Sequence, residues 1–546
     1  MPHVITQSCC SDGSCVYACP VNCIHPTPDE AGFATAEMLY VDPDACVDCG
    51  ACVSACPVGA IVPDSRLVTE QLPFVELNAA FYPDRHGKKL PPTSKLAPVP
   101  PAPEIQRGGG PLTVAIVGSG PAAMYAADEL LTQHGVHVNM FEKLPTPYGL
   151  VRAGVAPDHQ HTKQITRLFD RIAEQRGFRF FLNVTIGTHL SHDDLLAHHH
   201  AVLYAVGAPN DRRLDIDGMD RPGVHTATEL VAWYNGHPDF TDVPVDLSGD
   251  RMVIVGNGNV ALDVARILTA DPDELARTDI ADHALAALRD SRVREVVIAA
   301  RRGPAESAFT LPELIGLTAH RTVVLDDGDQ ALVTEALAGE HDALTRNKLD
   351  ILSTLGASGV GKRIRLAYRL TPSRVTDDGV EFVRTGTEET VHIEAGLLAT
   401  SIGYHGKAIA DLPFDEATGV VPNDDGRVLG APGSYVAGWI KRGPTGFIGT
   451  NKTCAQHTVH QLVADFNAGL LSDPVGRHGA LERLVAQRQP EHVDLVGWHA
   501  INAAEIARGG GVRPRDKFTR VNSMLAVAAQ APRPTLRDRV REALRV

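Results

Sequence analysis

Leu112-Thr-Val-Ala-Ile-Val-Gly-Ser-Gly-Pro-Ala-Ala123 runs from an apolar stretch through a glycine turn into a helix-forming stretch, and Arg251-Met-Val-Ile-Val-Gly-Asn-Gly-Asn-Val-Ala261 repeats the pattern. In each, the first glycine (Gly118, Gly256) permits a tight turn. The second (Gly120, Gly258) lets backbone approach a pyrophosphate, and a small residue (Ala123, Ala261) lets helix pack on strand. The helix N-terminus then faces the phosphate charge. The pattern predicts helices over 122–132 and 260–268, followed by strands over 136–141 and 293–300. Two strand–helix–strand units in one chain imply two parallel-sheet α/β domains.

The residues at the end of each unit's second strand separate their ligands. Glu142 ends the strand after the first turn, where an acid binds a ribose hydroxyl. Arg301-Arg302-Gly303 stands at the corresponding place in the second. A carboxylate there would repel a 2′-phosphate, whereas two guanidiniums bind one. The second site is therefore read as taking NADP(H). The long gap between Gly258 and Arg301 implies an insertion within 269–290.

Of ten cysteines, nine lie between Cys9 and Cys56, and only Cys454 lies beyond them. Cys46-Val-Asp-Cys49-Gly-Ala-Cys52-Val-Ser-Ala-Cys56-Pro57 fits C-x2-C-x2-C-x3-C-P, the iron–sulfur run whose fourth cysteine ligates the other of two clusters. Cys9, Asp12, Cys15 and Cys19-Pro20 keep the same spacing with an aspartate in second place. Crossed ligation assigns Cys19, Cys46, Cys49 and Cys52 to one [4Fe–4S] cluster. Cys9, Cys15 and Cys56 are left for the other, with Asp12 as a local fourth candidate. That second site is open to a [3Fe–4S] cluster, an aspartate-ligated [4Fe–4S] cluster, or ligation by Cys10 after a loop shift. Cys10 and Cys23 otherwise read as buried thiols.

The 546 residues suffice for three or four domains. With 44% hydrophobic and 21% charged residues the composition is that of a globular chain. A formal net charge of −15 argues against nucleic acid or an anionic membrane as partner, and 5% aromatic residues offer no stacking platform. No apolar run reaches membrane-spanning length and the start lacks signal-peptide character, so a cytoplasmic location is expected. Residues 1–66 carry eight Asp/Glu against Arg66 alone. Residues 67–110 read as an extension and a Pro/Gly-rich linker, semi-rigid over 90–110, and 533–546 as an arginine-rich helix.

NADPH gives up two electrons as hydride, iron–sulfur centres accept one at a time, and a flavin converts between them. Residues 111–546 resemble the adrenodoxin-reductase type of ferredoxin–NADP(+) reductase. The motifs carrying the resemblance are Val117-Gly-Ser-Gly-Pro-Ala122, Pro147-Tyr-Gly-Leu-Val-Arg-Ala-Gly-Val-Ala-Pro-Asp-His159, Gly256-Asn-Gly-Asn-Val-Ala-Leu-Asp-Val-Ala-Arg266, Arg301-Arg-Gly-Pro304 and Gly438-Trp-Ile-Lys-Arg-Gly-Pro-Thr-Gly-Phe-Ile-Gly-Thr-Asn-Lys452. Residues 1–66 resemble a seven-iron bacterial ferredoxin, and the whole resembles the fused form of the family. The implied fold class is multi-domain. An α+β ferredoxin-like iron–sulfur domain (1–66) precedes an α/β flavoprotein reductase with FAD-binding parts at 111–208 and 401–546 and an NADP-binding domain at 209–400.

By this resemblance FAD would meet Gly118, Gly120, Ala122, Ala123, Glu142, Leu150, Ile186, Trp439, Gly446, Phe447 and Ile448. NADP would meet Gly256, Asn257, Gly258, Asn259, Val260, Arg301, Arg302, Glu313 and Gly446. His159, Glu313 and Trp439 are the candidate catalytic residues, with His159 read either as a proton relay or as a structural histidine. The implied activity is NADPH-dependent, reversible ferredoxin reduction, the partners being NADPH and an external ferredoxin or other redox acceptor. The rival reading is an NADPH-oxidising input subunit of a larger complex, similar to the small subunit of glutamate synthase. A disulfide-reductase reading fails for want of a second cysteine in 111–546. The acidic N-terminal unit is expected to dock on basic residues such as Arg152, Lys163 and Arg167.

Overall fold

A computed structural model describes residues 2–82, 96–99, 101–106, 111–476 and 479–531. The expected C-terminal helix over 533–546 and most of the Pro/Gly-rich linker lie outside the described residues.

The N-terminal unit is built as two similar halves. Strand His3–Ile5 pairs antiparallel with Ile61–Pro63, and Ile24–His25 with Tyr40–Val41. Each half carries one short helix, Ser14–Ala18 or Ala51–Ala55, entered through a left-handed glycine and ended by an extended cysteine. Those glycines, Gly13 (φ 71°) and Gly50 (φ 74°), supply a conformation that side chains resist. The unit extends past residue 66. In helix Pro73–Ala80, Asn78 accepts from the Ile5 and Val41 amides and donates to the Ile5 carbonyl, and the Tyr82 hydroxyl donates to the Tyr40 carbonyl. Residues 67–82, which the sequence suggests are an extension, thus hold the two small sheets together.

The first large sheet has seven strands. Its parallel part runs Ser434–Val436, Ala201–Tyr204, Leu112–Val117, Val136–Glu142 and Phe178–Leu182. The second has six parallel strands in the order Val224–Thr226, Leu397–Thr400, Arg251–Val255, Glu295–Ala299, Arg363–Ala367 and Thr322–Val324. The chain passes between them through an antiparallel ribbon, Asn210–Asp211 against Tyr404–His405. Helices Pro121–Leu131 and Asn259–Thr269 come directly after the two glycine turns. The insertion before Glu295 folds into helices Pro272–Leu275 and Asp282–Arg289, whose Leu275, Ala284 and Leu288 are buried in the second unit's core. Among the described residues no helix is long and apolar enough to cross a membrane.

The large units are joined by buried charge. Lys163 Nζ lies 2.7 Å and Lys517 Nζ 3.1 Å from the Asp279 carboxylate, and both lysines donate to Asn235 Oδ1. Burial pulls the Lys517 amine down to about 7, against the pull of Asp279, which favours its charge. The unfolded chain, with a lysine near its ordinary value of about 10.4, then binds a proton that the folded chain releases. Stability should therefore rise from pH 7 toward pH 9, by up to about 1.4 kcal/mol per pH unit. Thermal midpoints across this range check it. A rise that persists in Lys517→Met would assign it to other groups.

Candidate active site and iron–sulfur sites

The cysteine unit gathers its thiols in two sets. Cys19, Cys46, Cys49 and Cys52 line one cavity together with His3 and Cys23. The Cys19 and Cys23 thiols share a hydrogen bond of 3.4 Å, and hydrogen bonding to Cys23 draws Cys19 down to about 6 and Cys46 to about 5. Cys9, Cys15 and Cys56 form the second set, in which each thiol feels the charge of Asp12. Burial pushes Cys9 up to about 11. Thiols held together at such cost suit a metal that takes them as thiolates. The Ala60 amide donates to Cys56 Sγ at 3.3 Å and the Cys23 amide to Cys19 Sγ at 3.4 Å, the kind of N–H···S contact that orients iron ligands.

Asp12 and Cys10 are engaged elsewhere. The Ser14 hydroxyl donates to Asp12 Oδ2 and the Ser14 amide to Asp12 Oδ1, while Lys452 Nζ donates to the Ser14 hydroxyl at 3.2 Å. Cys10 is buried in the first large unit's core, and its carbonyl accepts from the Gly449 amide at 2.7 Å.

The first glycine turn is shaped for a close neighbour. A Cβ at Gly118 (φ 97°) would fall 2.5 Å from the Ala205 carbonyl oxygen, whereas one at Gly120 would meet no protein atom within 4 Å. The space beyond Gly120 is thus open for a pyrophosphate. Ala122 and Ala123 are buried on the next helix, and Glu142 ends the neighbouring strand with its carboxylate accepting from Ser119 Oγ (2.7 Å) and the Leu144 amide. Burial raises the Glu142 carboxyl above its ordinary range. Leu150 opens a short helix just past Gly149, itself packed on Gly120, and Ile186 lies at the edge of the same sheet's other face. Gly438, whose Cβ would fall 2.7 Å from that of Ala122, brings Trp439 against this turn. Trp439 Nε1 donates to the Thr445 carbonyl, and its ring lies 5.2 Å from that of Tyr404. Gly446 is exposed, and the Phe447 and Ile448 carbonyls are held by Asn451 Nδ2.

The second turn repeats this logic. A Cβ at Gly256 would lie 2.2 Å from the Ser401 carbonyl oxygen, and one at Gly258 would meet nothing. Asn259 Oδ1 accepts from the Thr310 amide at 2.8 Å and Asn257 Oδ1 from that of Ala308, tying the turn to the loop before helix Leu311–His320. Val260 packs on the core beneath. Arg301 and Arg302 come just after strand Glu295–Ala299; both are exposed, and neither guanidinium has a carboxylate partner among the described residues. Both turns and both flanking sets therefore suit dinucleotides.

The two units meet at His159. Its Nε2 lies 4.0 Å from Glu313 Oε2, and Asp263 completes a cluster with them. Asp158 beside it forms a two-bond pair with the buried Arg266, at 2.7 and 2.9 Å, across the units. Burial alone would raise the Asp158 carboxyl; Arg266 more than offsets this and holds it well below the usual range. Asp158 and Arg266 each lie inside a family motif, but their pairing across 108 residues leaves no sequence signal.

The docking residues differ from the expected ones. Arg152 pairs with buried Glu505 and Lys163 with Asp279, while Arg167 bonds Gln164. The cysteine unit instead bonds through Gln7 to Glu313, through Glu37 to the Leu311 amide and Lys348, and through Cys10 and Ser14 to Gly449 and Lys452.

Comparison with known proteins places these features together. A 4Fe-4S binding domain model matches residues 39–62, and a pyridine nucleotide-disulphide oxidoreductase model matches 112–303. The probable ferredoxin/ferredoxin–NADP reductase of Mycobacterium tuberculosis is 69% identical, with 100% of this chain and 98% of that protein covered; its Mycobacterium leprae counterpart is 68% identical over 98% and 100%. The solved structure of Mycobacterium tuberculosis FprA in complex with NADPH is 41% identical, covers 77% of this chain and 100% of its own, and superposes with a TM-score of 0.72. The chain belongs to the ferredoxin/ferredoxin–NADP reductase family.

Proposed function

We propose that this protein oxidises NADPH and delivers the two electrons singly to iron–sulfur acceptors, with one proton released, as a cytoplasmic ferredoxin–NADP(+) reductase. The carrying observation is that three modules converge on one point. His159 of the first unit, Glu313 of the second and Gln7 of the cysteine unit meet within 4.0 Å of Glu313 Oε2. Bound FAD supplies the conversion between hydride and single electrons. Around it the chain binds and orients. Gly118 to Ala123 would take the pyrophosphate and Glu142 the ribose, Leu150 and Ile186 would contact the FAD, and Trp439 and Gly446 to Ile448 would lie beside its ring. Gly256 to Val260 would seat the second dinucleotide, Arg301 and Arg302 would bind its 2′-phosphate, and Gly446 would contact it as well. His159 Nε2 and Glu313 Oε2 hold and relay the proton.

Cys19, Cys46, Cys49 and Cys52 are assigned to a [4Fe–4S] cluster, and Cys9, Cys15 and Cys56 to a [3Fe–4S] cluster. Supporting the three-iron form, Asp12 is held by Ser14, and Cys10 is turned into the reductase core. The protein as isolated should then contain about seven irons per chain and show the EPR signal of an oxidised three-iron centre. Asp12→Cys should bring iron to about eight and abolish that signal. Eight irons and a silent oxidised spectrum in the unaltered protein would make Asp12 or Cys10 a ligand and refute the assignment.

A further inference from the structure

The contact between the N-terminal unit and Glu313 involves a neutral residue that neither cysteine spacing nor the dinucleotide motifs mark. Gln7 sits in the turn between strand His3–Ile5 and Cys9. Its Nε2 donates to Glu313 Oε2 at 3.0 Å, the oxygen that His159 Nε2 approaches at 4.0 Å. The side chain lies across helix Leu311–His320 at Gly316, where an added Cβ would sit 2.3 Å from both Gln7 Nε2 and Oε1. Glycine at that helical position carries a propensity cost of about 1 kcal/mol relative to alanine; here it opens the groove the amide occupies.

The same helix is held at its start, and Glu37 ties it to the neighbouring helix Ala343–Ser353. Glu37 Oε2 accepts from the Leu311 amide at 2.7 Å, satisfying one of the unpaired donors at the helix start, and Glu37 Oε1 pairs with Lys348 Nζ at 2.8 Å. Leu311 and Ile315 are buried in the N-terminal unit's own core, beside Val4 and Ile5. The helix that carries Glu313 thus turns Leu311 and Ile315 to the iron–sulfur unit and Leu314 and Leu317 to its own unit's core.

We propose that Gln7 is a positioning residue for the coenzyme reaction: it fixes the Glu313 carboxylate against His159, so that the coenzyme site is complete only with the N-terminal unit docked. This rests on the reading that Glu313 lies at the nicotinamide end of the second dinucleotide site. A carboxylate free to rotate loses its alignment with the imidazole, and Gln7 removes that freedom by bonding one oxygen. The amide carries no charge, so it orients Glu313 without neutralising it.

The test is a double-mutant cycle in the full-length holoprotein, with Gln7→Met, Glu313→Gln and the pair. Methionine keeps the volume and loses the donor. Two quantities are read, NADPH turnover with ferricyanide and the dissociation constant of NADP(+) from the resting protein by flavin absorbance. Gln7→Met should lower turnover roughly five- to twenty-fold and weaken NADP(+) binding by a factor of about two to five. Iron content and thermal midpoint should stay unchanged. In the Glu313→Gln background both effects should shrink below about twofold, because the two residues act through one contact. Gly316→Ala, which displaces Gln7 from the reductase side, should reproduce the Gln7→Met values. Equal effects of Gln7→Met in both backgrounds, or none in the unaltered protein, would overturn the proposal while leaving Glu313 at the site. Unchanged turnover and binding in Glu313→Gln alone would overturn the underlying reading, and the proposal with it.

Discussion

Replacing Arg301 and Arg302 together by glutamine should raise the Michaelis constant for NADPH roughly a hundredfold and barely move that for NADH. Each guanidinium stands exposed at the end of strand Glu295–Ala299 without a carboxylate partner among the described residues. Their backbones are fixed: the Arg301 carbonyl accepts from Thr385 Oγ1 at 2.8 Å and the Arg302 carbonyl from the Arg369 amide at 3.1 Å. Charge-assisted hydrogen bonds contribute about 1.5–3 kcal/mol each. Solvent screening at an exposed site lowers the pair to about 3 kcal/mol, which is roughly two orders of magnitude in affinity. NADH lacks the phosphate and loses nothing. Steady-state kinetics with both coenzymes and ferricyanide decides it; equal losses with both would show that the arginines act on the fold.

Asp279→Ala should destabilise the protein by about 3–5 kcal/mol, the cost of leaving buried charge uncompensated. Asp279 is the carboxylate that both Lys163 and Lys517 share, and each of the three side chains is at most 10% exposed. The loss falls on the junction of the two dinucleotide units, because Lys163, Asp279 and Lys517 come from three distant segments. Thermal unfolding monitored by flavin fluorescence should show a clear drop in midpoint, partly restored when Lys517→Met removes the surplus charge. An unchanged midpoint would mean that water or a shifted backbone replaces the carboxylate.

The parts of this architecture visible in the sequence are those encoded by short spacings. Gly118, Gly120 and Ala123 lie within six residues because a turn, a phosphate approach and a helix contact must succeed one another along the backbone. Cys46, Cys49 and Cys52 are close because one loop wraps one cluster. Contacts between modules have no such constraint. Arg152 and Lys163 read as free docking charges, yet their partners are Glu505 and Asp279, 353 and 116 residues away. Gln7 and Glu37 are ordinary polar residues until the fold brings them to Glu313 and the Leu311 amide, 306 and 274 residues on. The insertion over 269–290 is legible from a gap in spacing; that it carries Asp279 to Lys163 is not. Residues 67–82 lack cysteines and so read as extension, although Asn78 bonds both small sheets of the N-terminal unit.

Whether electrons from NADPH reach the iron–sulfur centres within this chain is tested by adding NADPH anaerobically to the full-length protein and monitoring flavin absorbance and EPR together. Flavin colour and the EPR signal that we assign to an oxidised three-iron centre should be lost together, with NADPH effective and NADH far less so. Bleaching of the flavin while that signal persists undiminished would contradict transfer within the chain.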